Sequence, residues 1–242
     1  MNKDVELELC CSNIHSVELA KTHQFQGIEL CSGLRNGGLT PSIALLKEAR
    51  RIFQGELSVL IRPRPGNFVY NNIEKKIIYQ DIKHSIEAGA DTLVIGALTD
   101  AAEIDLNFLE QVVTISHGLK LCFHRAFDQC RDPLNALSIL KKYKIDRLLT
   151  SGQKKTAFEG QELIKSLVQT IHKEIQIMAG GGIDPDGLIN FIKHTGISRI
   201  HFSALSKSMH EEADTIYFGD AELANEEYIH QILNELKNTR FI

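Results

Sequence analysis

A single-domain TIM-type (β/α)8 barrel, a closed parallel sheet wrapped by outer helices, is the fold class predicted for residues 1–242 of this chain. Three observations predict it. Short β-type runs alternate with helical runs along the chain, the signature of βαβ units and a parallel sheet. Eight such units can be read, and no Ser/Gly/Pro-rich linker or compositional break divides them. The length of 242 residues with 43% hydrophobic content matches one barrel of this type. An open doubly wound sheet uses the same units. Eight units favour closure, and Cys10-Cys11-Ser12-Asn13 stands where a dinucleotide G-x-G-x-x-G would follow the first strand.

The strands are expected at Val5 to Cys11, Gly27 to Cys31, Leu57 to Arg62, Thr92 to Gly96, Lys120 to His124, Arg147 to Thr150, Gln176 to Ala179 and Arg199 to Phe202. The helices that follow them are expected at Ile14 to His23, Ser42 to Phe53, Ile73 to Ala88, Asn107 to His117, Pro133 to Tyr143, Gln161 to His172, Pro185 to His194 and Asn225 to Asn238. Thr40-Pro41, Asp132-Pro133 and Asp184-Pro185 mark three helix starts, because a capping side chain precedes a proline whose missing N–H costs nothing in a first turn. The polar segment Ser206 to Ala224 reads as a loop or lid.

Period two along each strand assigns its faces. Leu7 and Leu9 point outward while Glu6, Glu8 and Cys10 point in; Ile28 and Leu30 go out, Glu29 and Cys31 in. Arg62 points in, as do Cys122 and His124 opposite Leu121 and Phe123, and His201 and Ser203 opposite Ile200 and Phe202. In a parallel barrel these carboxyl-terminal strand ends converge on one mouth, where such folds carry their chemistry. Buried ions need compensation, and Glu8, Glu29 and Arg62 are expected to supply it for one another. An ion network of this kind serves either the barrel's stability or a site of tuned pKa values.

Composition excludes several classes of partner. A net charge of −4 with interspersed signs offers no basic stripe for nucleic acid. No run approaches the length of a membrane span, and the start of the chain lacks a signal-type apolar region, so a cytoplasmic protein is expected. Five cysteines without dense spacing are expected to be reduced.

Glu29-Leu30-Cys31, Gly37-Gly38-Leu39-Thr40-Pro41-Ser42, Ile61-Arg62-Pro63-Arg64, Phe123-His124-Arg125-Ala126-Phe127-Asp128, Leu149-Thr150-Ser151-Gly152-Gln153 and Met178-Ala179-Gly180 together resemble the CutC family, in order and over almost the whole chain. That family is named for copper homeostasis. The resemblance implies a TIM-type barrel, a cytoplasmic location, a homo-oligomer and binding of copper as Cu(I). Independently of it, Cys10 and Cys31, at the inward ends of neighbouring strands, offer the soft thiolates that Cu(I) selects. No C-x-x-C, Met-rich tract or His-x-His accompanies them, and buried cysteines also serve as small hydrophobes.

A second expectation is an enzyme acting on a small anionic or phosphorylated metabolite. His124 would act as acid or base near neutrality, Glu8 or Glu29 would be its partner, and Arg62 and Arg64 would supply fixed positive charge. Arg125, Ser151, Gly180, Gly181, His201 and Ser203 would line the substrate site, the glycine run after the seventh strand allowing close backbone approach to a phosphate. Phe202 stands where phosphate-binding barrels carry a second glycine. Lys154-Lys155 and the group His210, Glu211, Glu212 and Asp214 read as solvated loop charges.

Overall fold

The computed structural model describes residues 5–171, 174–205 and 221–238. Eight strands close in chain order into a barrel, each parallel to the next and β1 parallel to β8. They are β1 (Glu6–Cys11), β2 (Gly27–Leu30), β3 (Glu56–Leu60), β4 (Thr92–Ile95), β5 (Lys120–Phe123), β6 (Arg147–Thr150), β7 (Gln176–Gly180) and β8 (Arg199–Phe202). The outer layer is α1 (Ile14–Thr22), α2 (Ile43–Ile52), α3 (Asn72–Glu87), α4 (Leu106–Ile115), α5 (Pro133–Lys142), α6 (Gln161–Ile171), α7 (Leu188–Thr195) and α8 (Glu226–Asn238). Among the described residues no helix is long and apolar enough to cross a membrane.

Alternating strand faces create two apolar compartments. Leu7, Leu9, Ile28, Leu30, Phe123 and Ile200 pack outward against the helices. Cys10, Cys31, Leu60, Val94, Cys122, Leu149 and Met178 form a separate cluster inside the barrel. A one-residue slip of any strand would exchange the two sets, so apolar burial fixes the register that aims the site residues.

The helix starts depart from expectation at two of the three marked prolines. Asp132 caps α5 as read, accepting from the Leu134 and Asn135 amides, with Pro133 in the first turn. The cap of α2 is Ser42, which accepts from the Leu45 amide, whereas the Thr40 hydroxyl accepts the Arg62 amide and ties the end of β3 to this loop. α7 begins three residues after Pro185, because Asp184 accepts from Asp186 N and the Pro185 carbonyl from Leu188 N, closing a separate turn before the helix. A 3-10 turn at Arg125–Gln129, not foreseen, follows β5 and carries the cavity wall. Most of the expected lid, and with it His210, Glu211, Glu212 and Asp214, lies outside the described residues; Leu205 pairs with Ala224 in an antiparallel bridge.

Candidate functional site

The inward side chains stack in three levels. At the amino-terminal end of the barrel, Glu56, Arg147 and Arg199 open β3, β6 and β8 and meet Glu8 from β1. The Glu8 carboxylate has no exposure and lies 3.4 Å from Arg147 and 2.9 Å from Arg199, while Glu56 pairs with both arginines at 3.1 and 2.9 Å. Burial works to raise the Glu8 pKa, but the His201 hydrogen bond and the charges of Arg199 and Arg147 outweigh it and hold the carboxyl far below the usual range. For Glu56 burial is likewise outweighed by Arg147 and Arg199, bringing it down to about 2. Gly27 leaves room for this group, a Cβ there falling 2.6 Å from the Arg199 guanidinium.

Above this charged floor comes the interior apolar layer, and above that a cavity of about 400 Å³ at the carboxyl ends of the strands. Cys10, Glu29, Arg62, His124, Arg125 and His201 line it, together with Gly181 to Ile183 and Phe202 to Leu205 from the loops after β7 and β8. The sulfurs of Cys10 and Cys31 lie 3.7 Å apart, and Cys10 Sγ is 3.7 Å from Glu29 Oε1, to which it donates. Both are free thiols. The Cys10 pKa is pushed well up, first by the hydrogen bond with Cys31 and then by burial.

Glu29 is 4% exposed, and its Oε2 has no hydrogen-bond partner. Burial, reinforced by the charge on Glu8 and opposed by His201, pushes its pKa up to about 7. His201 joins cavity to floor: its Nδ1 is 3.0 Å from Glu8 Oε1. Burial would lower its pKa, but Glu29 and Glu8 prevail and raise it.

His124 caps the turn after β5, its Nδ1 accepting from the Ala126 amide at 3.1 Å. That bond puts the proton of the neutral ring on Nε2, which is buried without a partner. Burial and then the Arg62 charge push its pKa down to about 3. The expectation of a histidine titrating near neutrality is thereby corrected: His124 is a neutral donor. Its ring lies 4.8 Å from Phe68 and occupies space that a side chain on Gly96 would fill, a Cβ there falling 2.4 Å from Cε1.

Arg62 donates to the carbonyls of Asn36, Gly38 and Gly66 at 2.8–3.0 Å, and not to Glu8 or Glu29. For Glu8 the expected compensation by Arg62 is therefore replaced by two arginines at strand starts, neither of which makes an ion pair with Glu29. Arg64 also departs from expectation. β3 ends at Leu60, so strand parity no longer governs Arg64, which turns to Glu74 and Asn67 and does not line the cavity. Arg125 does line it, fixed by Asp128 at 2.8 Å and Ser151 at 2.7 Å; Ser151 thus holds a wall residue from behind. Ser203 and Gly181 reach the wall, and Gly181, with φ 98°, leaves room for Arg125. Gly180 packs beneath, against His201.

Sequence reasoning missed Arg147, Arg199, Glu56 and Asp128. The first three were accessible to the same parity rule, since Arg147 and Arg199 stand two residues before the inward Leu149 and His201. Asp128, which receives Thr150, Ser151 and Gln153, gave no periodic signal because it lies in a 3-10 turn. One further group of metal-type donors, His23, Glu226 and His230, lies at the surface between α1 and α8, with His23 Nε2 3.0 Å from Glu226.

Comparison with known proteins agrees with this architecture. The model of the CutC family matches residues 5–206. A Pasteurella multocida protein named as a family protein CutC is 43% identical over 199 residues, covering 82% of each chain. A mouse protein named copper homeostasis protein cutC homolog is 37% identical over 225 residues, covering 92% of this chain and 82% of its own. The crystal structure of the putative copper homeostasis protein CutC from Streptococcus agalactiae superposes with TM-score 0.76 at 33% identity, over 82% of this chain and 98% of that one. A Pyrococcus furiosus thiamine phosphate pyrophosphorylase, 14% identical with TM-score 0.59, shares the fold. With the matched segment running from β1 through the end of β8 and sequence identity well above 30% over most of the chain, this protein belongs to the CutC family.

Proposed function

We propose that the protein takes part in copper homeostasis by holding Cu(I) between Cys10 and Cys31 at the base of the cavity. One observation carries the reading: two reduced, buried thiols from neighbouring strands stand 3.7 Å apart, and one of them, Cys10, lines the cavity. Thiolate is the donor Cu(I) prefers. Both thiols give up their protons on binding, and at Cys10 Cu(I) replaces a proton that the hydrogen bond with Cys31 and burial hold tightly. The names of the relatives support copper as the cargo. A cytoplasmic location and self-association belong to the same reading, as does the absence of nucleic-acid and membrane partners. The test is an anaerobic competition titration against a chromogenic Cu(I) chelator, with one tightly held equivalent per chain expected; no retention against the chelator contradicts the reading.

A second reading, a barrel enzyme for a small anionic metabolite, draws on a separate observation: His124 Nε2 and Glu29 Oε2 are buried without partners in the cavity wall. In this reading His124 donates to the substrate, Glu29, near pKa 7, exchanges the proton, and Arg62 and Arg125 supply positive charge. A metabolite panel screened by thermal shift would then contain an anion that raises the melting temperature of wild type and not of His124→Ala. A panel without one contradicts it.

A further inference from the structure

The separation of the two sulfurs bears on how many ligands the metal would have. Two sulfurs each about 2.3 Å from an ion lie about 3.8 Å apart in a tetrahedral arrangement and about 4.6 Å apart in a straight line through the metal. Cys10 and Cys31 stand at 3.7 Å, the bent spacing, which leaves the ion open to further donors on one side. Two donors are there. A ring nitrogen of His201, a carboxylate oxygen of Glu29 and Cys10 Sγ all lie within 4.8 Å of one another, and Cys31 stands outside this group, joined to it through Cys10.

Their surroundings resemble those of metal ligands. A metal-bound imidazole characteristically gives its other nitrogen to a carboxylate, which fixes its tautomer and raises its basicity. His201 has that partner, Nδ1 standing 3.0 Å from Glu8 Oε1, so Nε2 is the nitrogen left for an ion. Glu8 in turn is anchored by Arg147, Arg199 and Ser58. Glu29 offers Oε2, buried and unpartnered.

Charge then favours a divalent ion. Two thiolates and a carboxylate around a monovalent ion leave two negative charges in a buried site, whereas a divalent ion leaves one, and uncompensated buried charge is costly. We infer that Cys10, His201 and Glu29 hold a metal ion together, His201 being oriented by Glu8, with Cys31 drawn in from its place 3.7 Å from Cys10 as the fourth donor, and that this centre binds a Zn(II)-class divalent ion as well as Cu(I). The inference rests on the thiol pair being a metal site.

The test loads the reduced, full-length protein with one equivalent of Zn(II) and records its X-ray absorption fine structure. Two sulfurs at about 2.3 Å, lighter donors at about 2.0–2.1 Å and the outer-shell scattering of one imidazole are expected. Co(II) in place of Zn(II) should give thiolate charge-transfer bands and the strong visible bands of four-coordination. His201→Gln should weaken Zn(II) binding by about a hundredfold or more, beyond the usual loss of an outer-shell partner. A shell without imidazole, absence of Zn(II) binding, or unchanged affinity in His201→Gln overturns the inference, and the wild-type spectrum decides even if that variant does not fold. Cu(I) binding that survives loss of both thiols would instead overturn the reading beneath it.

Discussion

Replacing Glu8 with alanine is expected to remove about 3–5 kcal/mol of folding stability, because it strands the charges of two buried arginines. Arg147 and Arg199 are 5% and 3% exposed and meet at this carboxylate, and among the described residues Glu56 and Glu6 are the carboxylates left to share them, with the Gln176 side chain also accepting from Arg147. In a chain of this size such a loss lowers the melting temperature by about 10 °C. Glu8→Gln, which keeps the shape and some hydrogen bonds, should fall between wild type and Glu8→Ala in urea unfolding. The same floor sets the acid limit. Glu56 has a folded pKa of about 2 and Glu8 is also held far below the usual carboxyl range, so their contribution is present above the ordinary glutamate value and is lost as pH falls toward 2. Wild type should lose stability over this range more steeply than Glu8→Gln. Equal stability of wild type and Glu8→Ala at neutral pH would contradict the assigned role of the floor.

The second large effect is on Cu(I). Replacing Cys10 and Cys31 together by serine substitutes hard hydroxyls for the soft donors while keeping the volume nearly constant. Loss of a merely supporting partner costs 10–100-fold in metal affinity, so loss of both thiolates should cost at least about a thousandfold, or about 4 kcal/mol. Each single replacement should fall between. Cys11, Cys122 and Cys130 supply the comparison: Cys11 faces the outer apolar shell, Cys130 also packs there, and Cys122 sits lower in the barrel, so their replacement should leave Cu(I) affinity near that of wild type. A loss spread evenly over all five cysteines would mean adventitious thiol binding.

The fold and half of the site were legible in the sequence for one reason, namely that strand parity is both a packing rule and a pointing rule. Leu7 and Leu9 had to face the helices, so Glu8 and Cys10 had to face inward, and Cys31 follows from Ile28 and Leu30 in the same way. Parity fails where the strand stops. Arg62 and Arg64 share it, yet β3 has ended by both, and loop carbonyls and Glu74 decide where their guanidiniums go. Pairings were less legible than directions, because the arginine partners of Glu8 are 139 and 191 residues away and are chosen by the closure of the barrel. The protonation of His124 was least legible of all: one capping bond to Ala126, together with burial, turns an expected titrating group into a fixed donor.

The most direct measurement is a diffraction experiment on crystals loaded anaerobically with Cu(I), with data collected at the copper absorption edge. The account predicts one strong anomalous peak between the sulfurs of Cys10 and Cys31, within reach of His201. Copper found only at exposed groups such as His23, Glu226 and His230, with the thiol pair empty, would contradict it.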